Sequence, residues 1–239
     1  MHKEECTLRK LIEEVYFDPD LFKIFVAEDK YLFGYMSSQS EGSTFFEYKT
    51  IYDTIVDLHL KIKKSFDLAL EWEYKTDIDQ FNMVAPPTKE EDEAIYYTEN
   101  AVFRLSALWD MLAQLYNIKF KKGKSPEKVY YAQLFHDDTQ GKNPNAFAQK
   151  VYAYLKEQDN PHYDYEENEF WKGNHAYIVE YRDKMTHRNS PNVATLSNFA
   201  VELRMPMRYV LKRAIEDYVQ ATRFIIELLP EIVKDFQTD

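Results

Sequence analysis

Arg182 and His187 lie in the stretch VEYRDKMTHRNSPN, separated by four residues. A guanidinium can hold two phosphate oxygens and stabilise the charge that builds on the phosphorus. An imidazole can move a proton to or from a ribose 2′-hydroxyl or a leaving oxygen near neutral pH. The pair therefore has the chemistry needed to cleave a ribose-phosphate backbone without a metal ion.

The spacing of the pair requires a particular backbone. Five residues along a continuous helix rotate a side chain by about 140° and advance it by about 7.5 Å. The polar RNSPN sequence predicts a helix end, and loosening near Thr186 would let His187 return towards Arg182. Asp183 and Asn189 are the candidates to orient the pair. The alternative is structural: His187 as a partner of the helix dipole and Arg182 in a surface ion pair.

Composition favours long helices. The chain has 239 residues, of which 45% are hydrophobic and only five are glycine. Few glycines mean few tight turns, and no segment alternates convincingly with period two. We therefore expect an all-α, multi-helix bundle with long antiparallel helices, forming a single domain over residues 1–239. Its core should span roughly residues 88–236, with N-terminal helices over residues 1–75 packed on it.

Apolar spacing and turn residues place the helices. Steps of three and four predict buried stripes on three long helices; these stripes are Ile51, Ile55, Leu58, Ile62 and Phe66, then Val102, Leu105, Trp109, Leu112 and Tyr116, then Leu211, Ile215, Tyr218, Thr222, Ile225, Leu229 and Ile232. Thr88 is a plausible N-cap of the second, and Pro206 begins the third, which Pro230 should kink or end. Shorter helices are expected within residues 3–35 and over 126–136, 144–158 and 166–187, with a polar link in SSQSEGST.

Charge and cysteine content limit the functional classes. The net charge of −11 argues against a general nucleic-acid coat, so contact with RNA requires a local basic patch. A single cysteine, Cys6, suits a reducing compartment. No apolar run approaches the length of a membrane helix. We expect a cytoplasmic protein with no membrane partner.

Several basic residues are candidates for RNA binding. Arg204, Arg208 and Lys212 recur at i, i+4 and i+8 near the start of the last helix, where cations oppose the helix dipole. Ion pairing with acidic neighbours such as Glu202 is the alternative. Lys121 and Lys122 belong to the KFKKGKSPEK loop, which also reads as an ordinary solvated loop, and Arg188 follows His187 directly.

Other polar groups indicate no cofactor. The clusters that could be assembled into a metal site match no metal template, and their members are expected to be loop and surface residues; they are His136, Asp137 and Asp138, and His162, His175 and Glu180. No phosphate loop, dinucleotide fingerprint or hydrolase elbow is present. Glu99 and Asp110 lie beside the apolar stripe of the second long helix, where a polar residue could support the arginine from across the bundle.

The pattern of Arg182, Asp183 and His187, late in an all-helical chain, resembles the HEPN superfamily. The resemblance covers roughly the last 150 residues, and Asp183 departs from the Asn that is more usual at its position. It implies a metal-independent endoribonuclease without cofactors, acting as a homodimer in which both motifs face one cleft, in a toxin–antitoxin or phage-defence setting. Other members keep the fold as a binding module, which implies the alternative of a non-catalytic scaffold that partners another protein; the acidic charge favours this alternative.

Overall fold

A computed structural model describes most of the chain, and most of it is helical. The described residues are 2–22, 24–27, 30–33, 39–76, 78–141, 143–158, 171–187, 189–197 and 201–236, without the side chains of 24–27, 30–33, 39–43 and 187. No helix in these ranges is long and apolar enough to cross a membrane. Arg188, His162 and the predicted helix start before residue 171 lie outside them.

The described residues form seven α-helices and two short antiparallel strand pairs. The helices are α1 (Lys3–Glu13), α2 (Gln39–Glu73), α3 (Lys89–Lys119), α4 (Tyr131–Thr139), α5 (Ala146–Leu155), α6 (Asn174–His187) and α7 (Met207–Lys234). The strands are β1 (Ile24–Ala27), β2 (Lys30–Phe33), β3 (Thr195–Leu196) and β4 (Val201–Glu202), paired as β1–β2 and β3–β4. Two 3-10 turns, Ile78–Gln80 and Pro126–Lys128, lie before α3 and α4. The prediction of a mostly helical fold is confirmed.

Helix α7 lies at the centre of the packing. It contacts α1, α2, α3 and α6, and α2 packs along α3. All residues from 210 to 219 are buried, including the charged ones. The predicted apolar stripes of α3 and α7 are buried in full, and that of α2 is buried except for Leu58. The three-four periodicity therefore identified the core faces correctly, because each stripe removes apolar surface from water.

The start of α3 is defined by a capping box. The Thr88 hydroxyl accepts a hydrogen bond from the Glu91 N–H at 3.2 Å, and the Glu91 carboxylate accepts one from the Thr88 N–H at 2.7 Å. These bonds satisfy two donors that a helix start leaves without a partner. The predicted N-cap is confirmed.

Several sequence predictions about elements are wrong. Residues 24–27 and 30–33 form the β1–β2 pair, in which Ala27 pairs back onto Lys30, because the branched and aromatic residue types there favour strands. Of the one or two short helices expected within residues 3–35, the described residues contain α1. The predicted polar link is helical from Gln39 onward. The predicted 126–136 helix is a 3-10 turn followed by α4.

Pro230 does not end α7, which continues to Lys234. Pro230 and Ile226 are both exposed. The carbonyl of Ile226 that the proline leaves unbonded can therefore reach water, which reduces the usual cost of an internal proline.

Candidate functional site

Arg182 projects from α6 towards α3 with part of its guanidinium in solvent. One terminal nitrogen donates to the Ser106 hydroxyl on α3. Nε and the other terminal nitrogen donate to one oxygen of Asp183, at 3.2 and 2.8 Å. The side chain of Arg182 is 27% exposed. The guanidinium is therefore held from two sides and keeps an accessible edge, and the expected contact with Asp183 is present.

The helix that carries Arg182 does not loosen before His187. Helix α6 runs from Asn174 through His187, and the Thr186 hydroxyl donates to the backbone carbonyl of Arg182 at 3.2 Å. The expected unwinding near Thr186 is therefore wrong. The backbone positions of Arg182 and His187 lie about 140° apart around the helix axis. The His187 side chain and all of Arg188 lie outside the described residues.

A buried network of polar side chains lies beside Arg182. Asp217 of α7 is fully buried and accepts hydrogen bonds from the Trp109 indole N–H at 3.1 Å and the Tyr154 hydroxyl at 2.8 Å. Nδ1 of His175 lies 3.3 and 3.4 Å from the two Asp217 oxygens. One carboxylate thus gathers groups from α3, α5 and α6, as a buried acceptor of charge-assisted hydrogen bonds does.

The network continues from His175 to Tyr131. Nε2 of His175 lies 3.1 Å from the Tyr131 hydroxyl. Because Asp217 accepts hydrogen bonds, the proton of a neutral His175 belongs on Nδ1, so Nε2 accepts from Tyr131. His175 is only 5% exposed and stands edge-on to Trp109, with ring centroids 4.9 Å apart. The prediction of His175 as a surface residue is therefore wrong.

Arg182 and this network share a small cavity of about 10 Å³. Its lining includes Ser106, Tyr131, His175, Arg182 and Asp217. A space of this size holds about one water molecule.

Electrostatics couple Tyr131 to the arginine. Burial raises the pKa of the Tyr131 phenol, and the Arg182 charge opposes that rise. Burial also raises the pKa of Asp110 on α3, while a hydrogen bond from the Tyr131 backbone and the charge of Arg182 lower that pKa. Asp110 therefore supports the site electrostatically, as considered from the sequence. Tyr131 stays protonated at neutral pH and is available as a donor.

The other predicted arginines are engaged by acidic residues inside the bundle. Arg204, whose side chain is 4% exposed, pairs with Glu91 at 3.4 Å. Arg208, with 16% exposed, pairs with Glu73 at 3.2 Å. Arg204 is buried and ion-paired, which does not favour a contact with RNA, and its assignment as an RNA contact stays a prediction. The alternative of ion pairing was the better interpretation, with Glu91 as partner in place of Glu202.

Lysines show the same pattern. Lys212 is 6% exposed and lies 3.9 Å from Glu4, which likewise does not favour the contact with RNA that was assigned to it. Lys122 donates to Asp138 of α4. Lys121 is exposed, with a left-handed φ of 49°. In the lysine loop, Lys121 therefore lies on the surface, and Asp138 partly neutralises the charge of Lys122.

The turn after α6 is tied to α3. Asn192 donates to Glu99 at 2.8 Å and bonds with the buried Tyr181 hydroxyl. Burial raises the pKa of Glu99, opposed by the Asn192 hydrogen bond. Asn189 donates to Thr195 at 3.4 Å, within the turn. The role of Asn189 in orienting Arg182 or His187 stays a prediction.

Within the described ranges, no group of three or more His, Cys, Asp or Glu side chains could hold a metal ion. Sequence reasoning missed Tyr131, Trp109 and Asp217 as members of a polar site. One signal was available, since charged residues interrupt the most regular apolar helix at Lys212, Arg213, Glu216 and Asp217. Comparisons of the chain with family models, curated proteins and solved structures found no match.

Proposed function

We propose that the chain is a HEPN-like protein that binds RNA at Arg182 and cleaves it without a metal ion. The observation that carries the proposal is the partly exposed Arg182 guanidinium, fixed by Ser106 and Asp183 at the edge of a polar network. A guanidinium held in this way can bind a phosphate without first ordering its own side chain.

The distribution of positive charge supports this choice of residue. Of the predicted arginines whose side chains are described, Arg182 has the largest exposed fraction, 27% against 4% for Arg204 and 16% for Arg208. The chain is acidic overall, so RNA must bind where an accessible cation is concentrated.

In the proposed mechanism, Arg182 stabilises the negative charge that builds on the phosphate. His187 acts as general base or acid at the ribose, and Asp183 orients the guanidinium. The unbroken α6 places Arg182 and His187 about 140° apart within one copy, so the proposal requires a homodimer in which both copies of the motif face one cleft; this dimer would also double the local positive charge. The biological setting we propose is that of a toxin or a phage-defence protein.

The decisive experiment incubates the purified protein with labelled single-stranded RNA in the presence of a chelator. We expect cleavage by the natural chain and a loss of at least about 100-fold in Arg182→Ala and in His187→Ala. Arg104→Ala is the matched control, because Arg104 lies on α3 and bonds only locally to Asn100 among the described contacts. Circular dichroism would verify folding, and retention of cleavage in Arg182→Ala would sink the proposal.

A second candidate function is that of a non-catalytic scaffold, and one surface favours it. Apolar side chains are exposed on and beside β3 and β4, including Val193 at 59%, Leu196 at 67%, Val201 at 69% and Met205 at 44%. Exposed apolar groups in one region are typical of protein-binding surfaces. The scaffold function is favoured if the protein cleaves no RNA in the same experiment and if a protein partner binds the natural chain but not the Leu196→Asp variant.

A further inference from the structure

We infer that Tyr131 is a further catalytic residue of the Arg182 site and donates a proton to the leaving oxygen. His175 and Asp217 orient the Tyr131 hydroxyl and return its proton. This inference rests on the proposed RNA cleavage and assigns it a second proton-transfer group besides His187. The relay consists of Asp217, His175 and Tyr131, which the chain places on α7, α6 and α4.

The contacts of the relay run without a gap from the buried Asp217 to Tyr131, which lies beside Arg182. Asp217 contacts Nδ1 of His175 at 3.3 Å, and Nε2 of the same ring contacts the Tyr131 hydroxyl at 3.1 Å. Tyr131 and Arg182 line the same small cavity. Both ring nitrogens are thus used, one towards a buried carboxylate and the other towards a hydroxyl beside the proposed phosphate-binding group.

The relay is held rigidly from the inner end. Asp217 also accepts from Trp109 and Tyr154, so its carboxylate cannot rotate without losing those hydrogen bonds. The His175 ring is packed between Trp109 and Tyr131, whose rings both stand edge-on to it. Preorganised donors and acceptors of this kind cost no reorganisation when charge moves during a reaction.

The protonation state of His175 determines where the Tyr131 hydroxyl points. When His175 is neutral, its Nε2 accepts the Tyr131 proton and the hydroxyl is directed inward. When His175 carries both protons, Nε2–H donates to the Tyr131 oxygen, and the Tyr131 proton is free to point towards a group bound at Arg182. The doubly protonated state is therefore the competent one for donation.

The reaction step balances in atoms and charge. The ribose 2′-oxygen forms a bond to phosphorus and gives its proton to neutral His187, while the bond from phosphorus to the 5′-oxygen breaks. Tyr131 passes its proton to the departing 5′-oxygen and takes the Nε2 proton of His175. His175 is left neutral with its Nδ1–H on Asp217, and the products are a 2′,3′-cyclic phosphate and a free 5′-hydroxyl.

Several charged or titratable groups face His175 and Tyr131. They are Asp110 from α3, Tyr154 from α5, Arg182 and Asp183 from α6, and Asp217 from α7. The arginine alone is cationic among them.

The test compares two RNA substrates that differ only in the leaving atom. In one the leaving atom is the natural 5′-oxygen, and in the other it is sulfur, which departs without a proton. We expect Tyr131→Phe to slow cleavage of the oxygen substrate by about 100-fold and to cleave the sulfur substrate at nearly the natural rate. Arg182→Ala should lose both activities, because it acts on the phosphate.

Tyr116→Phe is the matched control, since it removes the hydroxyl of a tyrosine outside the site, one that bonds Asp138. It should leave both rates unchanged. His175→Gln serves as a second variant if Tyr131→Phe does not fold: it keeps a polar group but cannot return a proton to Tyr131, so it should slow cleavage of the oxygen substrate and leave cleavage of the sulfur substrate nearly unchanged.

The outcomes separate this inference from the proposed function. If the natural chain cleaves neither RNA, both fall. If it cleaves RNA and Tyr131→Phe slows the two substrates equally, the hydroxyl has a structural role and only the inference is overturned. A full rate on the oxygen substrate in folded Tyr131→Phe or in folded His175→Gln overturns the inference alone as well.

Discussion

At the scale of single residues, Asp217 is the acceptor on which the buried polar groups converge. It holds donors from Trp109 and Tyr154 and contacts His175, yet it is fully buried. A buried carboxylate is costly unless hydrogen bonds replace its lost hydration. Its position on α7 therefore ties α3, α5 and α6 to the central helix.

Replacing this acceptor should reduce stability. Asp217→Asn keeps the shape but turns one acceptor oxygen into a donor that faces other donors. We expect the free energy of unfolding to fall by about 2–3 kcal/mol. Chemical denaturation measures this, with Asp183→Asn as the control because the Asp183 side chain is half exposed. Equal, small effects in the two variants would contradict the role assigned to Asp217.

At the scale of elements, α3 is defined by its cap as much as by its apolar stripe. Thr88 and Glu91 close a reciprocal capping box, and the first turn carries further acidic residues that favour the positive end of the helix dipole. Arg204 also reaches Glu91, so this helix start is linked to the chain that leads into α7. The cap thus joins local and tertiary contacts.

Removal of the cap should have a measurable cost. Thr88→Ala leaves a helix donor without its partner, so we expect a loss of about 1 kcal/mol in unfolding free energy. Thr54→Ala is the matched control, because Thr54 is an exposed residue within α2 whose hydroxyl, among the described contacts, bonds only the Thr50 carbonyl. A larger loss in Thr54→Ala than in Thr88→Ala, measured by urea denaturation, would be inconsistent with the capping role.

At the scale of the whole molecule, acidic groups lie inside the bundle as well as on its surface. Glu73 and Glu216 are buried, and burial raises the pKa of each carboxyl to about 7. Arg208 opposes the rise at Glu73. Hydrogen bonds from the Trp171 backbone and from Asn174 oppose the rise at Glu216. Burial lowers the pKa of His59 to about 4. The stability of the protein therefore depends on pH through groups remote from one another.

The direction of that dependence follows from proton binding. Between about pH 4.5 and 7, a folded chain keeps a proton on Glu216 that the unfolded chain has lost, so stability falls as pH rises. His59 acts in the opposite sense between about pH 4 and 6.5. Glu216→Gln should make the slope of unfolding free energy against pH less negative, by up to about 1.4 kcal/mol per pH unit.

Denaturant titrations at several pH values between 4.5 and 7 would measure that slope. Glu180→Gln is the control, because the Glu180 side chain is 67% exposed and it pairs only with Lys184 among the described ion pairs. A slope that Glu216→Gln leaves unchanged would show that Glu216 does not retain its proton in the folded chain.

The sequence by itself determined which faces of the helices are buried and where α3 and α7 begin. These features are local: apolar side chains at three-four spacing must share one face, and Thr88 caps a helix through contacts only three residues away. Arg182 and Asp183 are adjacent in the chain, so their contact was also accessible to sequence reasoning.

Only the tertiary structure decided what the polar residues contact. Tyr131 and His175 are separated by 44 positions, and His175 and Asp217 by 42, so no periodicity within one helix can relate them. Arg204 similarly meets Glu91 across 113 positions. Such pairs form because packing helices excludes water, so a buried charge or donor is stabilised by a partner that the fold brings near, however distant in sequence.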